Sequence, residues 1–170
     1  MILALDPSLR ATGWVLAQRE GSRYVPVEWG CIRTAPAGRK VRMRQSDDDV
    51  QALAIIRAAL ANHLGGVTRA LVELPPGGAK GARANRCMGL VVGLVVAMMA
   101  ERGIHSAYYS PDDVRRALGT RRKPGLGIKE AAAIAVEARW PALQYIQATG
   151  AETEAVVDAL AVLAAAEVLG

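Results

Sequence analysis

The start of the chain alternates short apolar runs with turn-forming residues. Ile2–Asp6 and Gly13–Gln18 are apolar runs on either side of the turn-like segment PSLRAT, and Tyr24–Thr34 follows a Gly-Ser turn. Short apolar runs bounded by Gly, Pro and Ser are typical of strands. We therefore predict a three-stranded antiparallel meander at the start of the chain.

The middle of the chain changes to helical spacing. Ser46, with Asp49 three residues later, fits a helix N-cap, and Val50–His63 continues with apolar residues at helical spacing until a Gly-Gly pair. Thr68–Leu74 fits a short apolar strand, and Lys80–Arg102 fits a second long helix closed by glycine. The pattern of this region is β-α-β.

The last part of the chain adds one strand and three helices. Ile104–Tyr109 reads as a strand, and Ser110 fits the N-cap of a short helix. Lys129–Arg139 and Ala151–Leu169 are alanine-rich and predict helices. We predict an α/β fold with a mixed sheet of about five strands, and one domain spanning residues 1–170.

Four acids stand out because they are set in apolar sequence. Asp6 and Glu73 each lie near the end of a predicted strand, Asp158 lies in the last helix, and Glu154 precedes it by four residues on the same face. If the first and fourth strands pair in parallel, Asp6 and Glu73 can meet, since neighbouring strands are about 4.8 Å apart. Burying unpaired carboxylates costs on the order of several kcal/mol, and a divalent cation would offset that cost.

The chemistry of these acids favours Mg2+ or Mn2+, with two ions at the site, over zinc. Two such ions activate water and stabilise the leaving oxygen in phosphodiester hydrolysis. Each acid alone also fits an ordinary role, at a turn, on a strand end in solvent or on a solvated helix face. The combination favours a metal site.

The charge of the chain points to a polyanionic partner. The net charge is +5 with a sequence pI of about 9.6. The basic residues gather in three clusters, which are Arg39, Lys40, Arg42 and Arg44; Lys80, Arg83 and Arg86; and Arg121, Arg122 and Lys123. Predicted loops and helix starts carry them, where they can reach phosphates, although a solvated basic surface is the alternative.

The second long helix is apolar on nearly all sides. Its run Cys87–Ala100 is shorter than the roughly 20 residues that span a bilayer, so we interpret it as a buried helix and expect no membrane partner. One sheet face cannot cover every side of such a helix, which predicts a homodimer packed through it. Cys31 and Cys87 do not have metal-ligand spacing, and they fit a reduced, cytoplasmic compartment.

Several segments together resemble the RuvC-type Holliday junction resolvases. The similar segments are ILALDPSLRATGW, the strand ending in Glu73, VVDALAVLAAA and YYSPDDVRRALGTRRKPGLGIKEAA. The resemblance implies an RNase H-like fold and a homodimer that nicks opposite strands of a four-way DNA junction in a bacterial or phage-infected cell. It also implies catalytic roles for Asp6, Glu73 and Asp158, and DNA-backbone contacts for Arg115, Arg116 and Lys129.

The chain departs from the family's pattern at three places, one of which is the family's Asp-Pro-Gly, present here as Asp6-Pro7-Ser8. The family usually has an Asp or His three residues before the final Asp, where this chain has Ala155, and the nearest acid is Glu154. The family often has an aromatic residue after the strand-end glutamate, where this chain has Leu74 followed by Pro-Pro-Gly-Gly.

Three alternatives remain open at the level of sequence. An RNase H-like nuclease acting on RNA or simple duplexes would use the same acids. An actin-like ATPase would also begin with a strand-borne Asp and a turn, although that fold usually needs about twice this length. A catalytically silent scaffold would bind junctions without cutting them.

Overall fold

A computed structural model describes residues 1–36, 38, 43–74, 81–120, 127–141 and 151–170. Its strands are β1 (Ile2–Asp6), β2 (Ala11–Glu20), β3 (Arg23–Arg33), β4 (Arg69–Glu73) and β5 (His105–Tyr109). They form one mixed sheet in the order β3-β2-β1-β4-β5, with β1, β4 and β5 parallel and the first three strands antiparallel. The predicted meander and five-stranded mixed sheet are both confirmed.

Five described helices flank the sheet. They are α1 (Gln45–Ala61), α2 (Ala82–Glu101), α3 (Pro111–Ala117), α4 (Ile128–Arg139) and α5 (Ala151–Leu169). Helices α1 and α2 share a core with one sheet face, and α5 packs on the other face with α3 and α4 against it. Every side chain from Ala159 to Ala166 is buried, because α5 lies between the sheet and two further helices.

The predicted cap of α3 is present, whereas that of α1 is not. Ser110 accepts a hydrogen bond from the backbone N–H of Asp113, whose carboxylate accepts from the backbone N–H of Ser110 in return. Helix α1 instead begins at Gln45, without a side-chain cap, and Ser46 donates to the exposed Asp47. The predicted Ser46 cap is therefore wrong, because the Asp49 carboxylate that would complete it is occupied by other partners.

Helix α2 is buried along one side only. Val91, Val95, Met98 and Met99 are buried, whereas Leu90 and Val96 are about 40% exposed. The segment is thus only partly buried within one chain, as expected for an apolar helix that one sheet face cannot cover on every side. By length and composition alone, α2 could also cross a membrane. This is weak evidence for a membrane span, because the buried side of α2 packs against α1 and β5.

Candidate active site

Two acids lie side by side at the ends of the two central strands. Strands β1 and β4 run parallel with Leu5 opposite Val72, and the next residue on each strand is Asp6 or Glu73. Leu5 and Val72 are buried in the core shared with α1 and α2. Because side chains alternate along a strand, Asp6 and Glu73 face the opposite side of the sheet, where α5 packs.

Helix α5 brings the third acid to the same place. It packs across β2 and β1, and its Asp158 and Glu154 line an open cleft of about 280 Å³ with Asp6. The lining residues are Asp6, Ser8, Ala11, Lys129, Glu154, Ala155 and Asp158. Glu73 is not among them, but its charge interacts with Asp6 and Asp158 across the sheet. The structure therefore gathers all four predicted acids in one region.

The three principal acids disfavour one another's ionisation. Burial, reinforced by the negative charge of Asp158, raises the pKa of Asp6 to about 7. Burial, followed by the charges of Asp6 and Asp158, raises the pKa of Glu73 to about 8. The pKa of Asp158 is also raised by burial. These clustered carboxylates have too little positive charge around them to balance their own negative charge, which is typical of functional sites.

Two basic side chains from the predicted DNA-binding set partly oppose this charge. Lys129, in the first turn of α4, forms an ion pair with Glu154 and lowers the pKa values of Asp6 and Asp158. Arg115, in α3, acts in the same direction on Glu73. These contributions are outweighed by burial at all three acids, so the site retains a deficit of positive charge.

A divalent cation matches this donor set. The acids offer only carboxylate oxygens, which are the ligands that Mg2+ and Mn2+ prefer, and their raised pKa values show that positive charge would stabilise the ionised forms. In the part of the chain that the structure describes, no three Asp, Glu, His or Cys side chains already stand as a ligand cluster. The match between this site and a divalent cation therefore rests on the carboxylate ligands and on the electrostatic interactions among them.

A larger cleft elsewhere does not share this chemistry. It has a volume of about 480 Å³ and lies at the start of β3 beside Arg139 and Trp140. Its buried carboxylate, Glu167, forms an ion pair with Arg139 and accepts a hydrogen bond from the backbone N–H of Tyr24. Because Glu167 already has its partners, the smaller cleft is the better candidate for the active site.

The predicted DNA-binding residues are only partly described. Those within the described ranges are Arg44, Arg83, Arg86, Arg115, Arg116 and Lys129. Arg39, Lys40, Arg42, Lys80, Arg121, Arg122 and Lys123 lie outside the described residues. Arg44 precedes the first turn of α1 in an exposed position, and Arg115 and Arg116 pair with Asp112 and Asp113 in α3.

Sequence reasoning missed a charged network beside the site. Asp49 is buried in α1 and accepts hydrogen bonds from Arg83 and Arg86 of α2. Arg10, from the turn that follows Asp6, pairs with Asp48 and lies 3.9 Å from Asp49. The partners are far apart in sequence, so the only sequence feature that indicated this network was an acidic run in one helix and arginines in another. The network ties the turn after Asp6 to the starts of α1 and α2.

Glu152 also has a partner that sequence reasoning did not identify. The spacing of Thr149 and Glu152 in the sequence predicts a capping box, but Thr149 lies outside the described residues. The Glu152 carboxylate pairs with Arg33, at the end of β3, at 3.1 Å. Glu152 is therefore an exposed contact between β3 and α5 and does not line the cleft.

Comparison with known proteins agrees with this geometry. No protein-family model matches the chain. A crossover junction endodeoxyribonuclease RuvC from Zymomonas mobilis is 30% identical over 118 residues, which is 69% of this chain and 66% of that protein. The RuvC of Protochlamydia amoebophila is 52% identical over 33 residues, 19% of this chain and 20% of that protein. The matched stretches thus span at most about two thirds of these relatives.

Solved structures show the same fold. Thermus thermophilus RuvC in complex with a Holliday junction superposes with a TM-score of 0.72 at 17% identity, covering 96% of this chain and 90% of that one. A fowlpox virus resolvase in complex with Holliday junction DNA gives a TM-score of 0.53 at 6% identity, covering 94% of both chains. The sheet order, together with these superpositions, defines the chain as a protein with an RNase H-like fold. Within that class, the chain belongs to the RuvC family, whose members are metal-dependent nucleases.

Proposed function

We propose that the chain is a metal-dependent, structure-selective DNA endonuclease that resolves four-way junctions by paired symmetric nicks in the cytoplasm. One observation carries the proposal. Asp6 and Glu73 end adjacent parallel strands, and α5 adds Asp158, so three electrostatically coupled carboxylates lie at this edge of the sheet, two of them in one open cleft. Membership of the RuvC family supports the choice of branched DNA as substrate.

Asp6, Glu73 and Asp158 would hold Mg2+ or Mn2+, with two ions at the site. The bound ions supply activation of water and stabilisation of the leaving oxygen in phosphodiester hydrolysis. The chain's own residues provide the negative charge that attracts the ions and the cleft that admits a phosphate. Glu154 is a fourth ligand in this proposal, and it would have to exchange its ion pair with Lys129 for the cation.

Lys129 and Arg115 would orient the DNA at the acids. Both lie close enough to affect the pKa values of those acids, and the Lys129 side chain is 72% exposed. Arg83 and Arg86 each donate from Nη2 to Asp49 and are each about half exposed, so the exposed part of each guanidinium group would be available to phosphates. The basic residues outside the described ranges extend this proposed surface.

A homodimer would match the two-fold symmetry of a four-way junction. Leu90 and Val96 are both exposed on α2, and a second copy of the chain would cover this apolar surface. Two equivalent sites related by a two-fold axis can nick two opposite strands. In this proposal residues 1–170 act as one domain in each subunit.

A cleavage panel tests the proposed function against its alternatives. End-labelled immobile four-way junction, linear duplex, RNA duplex and RNA–DNA hybrid are incubated with protein and either Mg2+ or Mn2+. The proposal predicts nicks at symmetric positions on two opposite strands of the junction, with little cutting of the other substrates. Preferential cutting of RNA or simple duplex would favour the general nuclease, and tight junction binding without cleavage would favour the scaffold. ATP binding by equilibrium dialysis would favour the ATPase.

A further inference from the structure

Gly13 stands directly beside the first acid of the site. In the antiparallel pairing of β1 with β2, Asp6 is opposite Gly13. Two and four residues later on the same strand face, Val15 and Ala17 are buried in the core that contains α5. Gly13 therefore faces α5 at the level of Asp6.

The backbone of α5 occupies the space where a side chain at position 13 would lie. A Cβ built on Gly13 overlaps the carbonyl group of Ala155 and comes within 3.2 Å of the Ala155 Cα atom. These are backbone atoms in a buried helix, so they cannot rotate away as the end of a flexible side chain would. The Gly13 backbone does not adopt the left-handed conformation, and hence close approach of the helix is the reason for glycine here.

The same close approach determines where Asp158 lies. Ala155 precedes Asp158 by three residues, about one helical turn, and both line the cleft with Asp6. We propose that Gly13 is a positioning residue of the metal site, since it sets the height of α5 above the sheet and thereby the separation of Asp158 from Asp6. This inference rests on the proposed metal-dependent function.

The required precision makes this role testable. Metal–ligand distances tolerate deviations of about 0.2 Å, whereas a methyl group at position 13 must displace the helix backbone by several times that amount to remove the overlap. We expect Gly13→Ala to weaken Mn2+ binding about 10- to 100-fold, the usual effect of disturbing groups that hold ligands in place. Cleavage should fall in parallel, while junction binding in EDTA should change less than twofold.

Gly30→Ala is a matched control in the neighbouring strand. Its added Cβ would lie 2.9 Å from the Trp14 ring, on the sheet face that packs against α1 and α2. It also crowds the fold but does not touch α5 or the acids. We expect lower thermal stability with Mn2+ affinity within twofold of wild type.

The experiment measures Mn2+ affinity by isothermal titration calorimetry and folding by far-UV circular dichroism in the full chain. A second variant, Gly13→Ala with Asp158→Glu, places a longer acid across the widened gap and should regain at least threefold in Mn2+ affinity over Gly13→Ala. Normal Mn2+ binding by folded Gly13→Ala, or no regain in the double variant, would overturn the inference. An unfolded Gly13→Ala beside a folded Gly30→Ala would also overturn it, and would assign Gly13 to general packing.

The wild-type titration separates failure of this inference from failure of the proposed function. If wild-type protein binds Mn2+ and Asp6→Asn abolishes that binding, the metal site stands whatever Gly13→Ala does. If wild-type protein does not bind Mn2+, or Asp6→Asn leaves binding unchanged, the proposed metal site is wrong and the role of Gly13 fails with it.

Discussion

Arg86 donates a hydrogen bond of 2.7 Å from Nη2 to Oδ2 of Asp49, and so joins the N-terminal parts of α2 and α1. Arg83 adds a second contact at 3.3 Å, and the Asp49 side chain is only 2% exposed. Burial alone would raise the pKa of Asp49, but the hydrogen bonds from Arg86 and Arg83 outweigh it and hold the pKa below its ordinary value. The ionised carboxylate therefore stabilises the folded chain.

Asp49→Asn should destabilise the protein because both arginines lose their charged acceptor. We expect the free energy of unfolding in urea to fall by about 1–3 kcal/mol at pH 7, against about 0.5 kcal/mol or less for the exposed control Asp47→Asn. Since folding lowers the pKa of Asp49, its contribution is present above its ordinary value of 3.8 and is lost as the pH falls through the lowered value. Equal stabilities of the two variants at pH 7 would contradict this role.

Asp6→Asn should have the opposite effect on the metal-free protein. Folding raises the pKa of Asp6 from 3.8 to about 7, so the contribution of Asp6 to stability is most favourable below about pH 4, where both states are protonated. This contribution is lost between about pH 4 and pH 7, where the unfolded chain ionises first, and stays constant at higher pH. In EDTA at pH 8 the variant should be more stable than wild type by on the order of a few kcal/mol, and this difference should vanish near pH 4. Urea unfolding of the variant and of wild type across this pH range measures the effect. A difference in stability that does not change with pH would refute the prediction.

Glu154→Gln tests the acid at which the chain leaves the family's spacing. If Glu154 is a ligand, the rate at saturating DNA should fall and the Mg2+ concentration needed for half-maximal cleavage should rise. If its ion pair with Lys129 is only a surface contact, stability should change by less than about 1 kcal/mol and the Mg2+ titration should match wild type. Glu152→Gln, in the same turn but paired with Arg33, is the control.

Val96→Glu tests the proposed dimer surface. Val96 is 38% exposed on α2, and a charge there should disrupt an apolar contact and yield monomers or aggregates. Val50→Glu on α1, at a site that is 63% exposed, should leave the oligomeric state unchanged. Light scattering after size exclusion provides the measurement. A wild-type monomer at micromolar concentration that still makes paired nicks would disprove the proposal.

Local patterns in the sequence predicted most of the architecture. Turn residues marked the ends of the meander strands. The positions of Asp6 and Glu73 at the ends of apolar runs identified them as candidate site residues without knowledge of the strand pairing. The start of α5 at Ala151 and the capping of α3 by Ser110 also follow from local chemistry. The placement of these acids around one cleft then follows from parallel strand pairing.

Contacts between distant segments could not be predicted in the same way. The Ser46 cap failed because Asp49 is bound by arginines from another helix, which no local pattern reveals. The requirement for Gly13 arises from α5, more than a hundred residues later in the chain. The side of α2 that is buried likewise depends on which elements pack against it in the folded chain.

We propose that Asp6, Glu73 and Asp158 hold the metal ions with which this protein would cut DNA junctions. The most direct test measures nicking of a labelled immobile junction under single-turnover conditions, with and without Mg2+, for wild type, Asp6→Asn, Glu73→Gln and Asp158→Asn. We predict Mg2+-dependent paired nicks by wild type and a loss of about three or more orders of magnitude in each variant, with junction binding retained. Cleavage at near wild-type rate by any one of the three variants would contradict the claim for that residue, and Mg2+-independent cleavage by wild type would contradict it altogether.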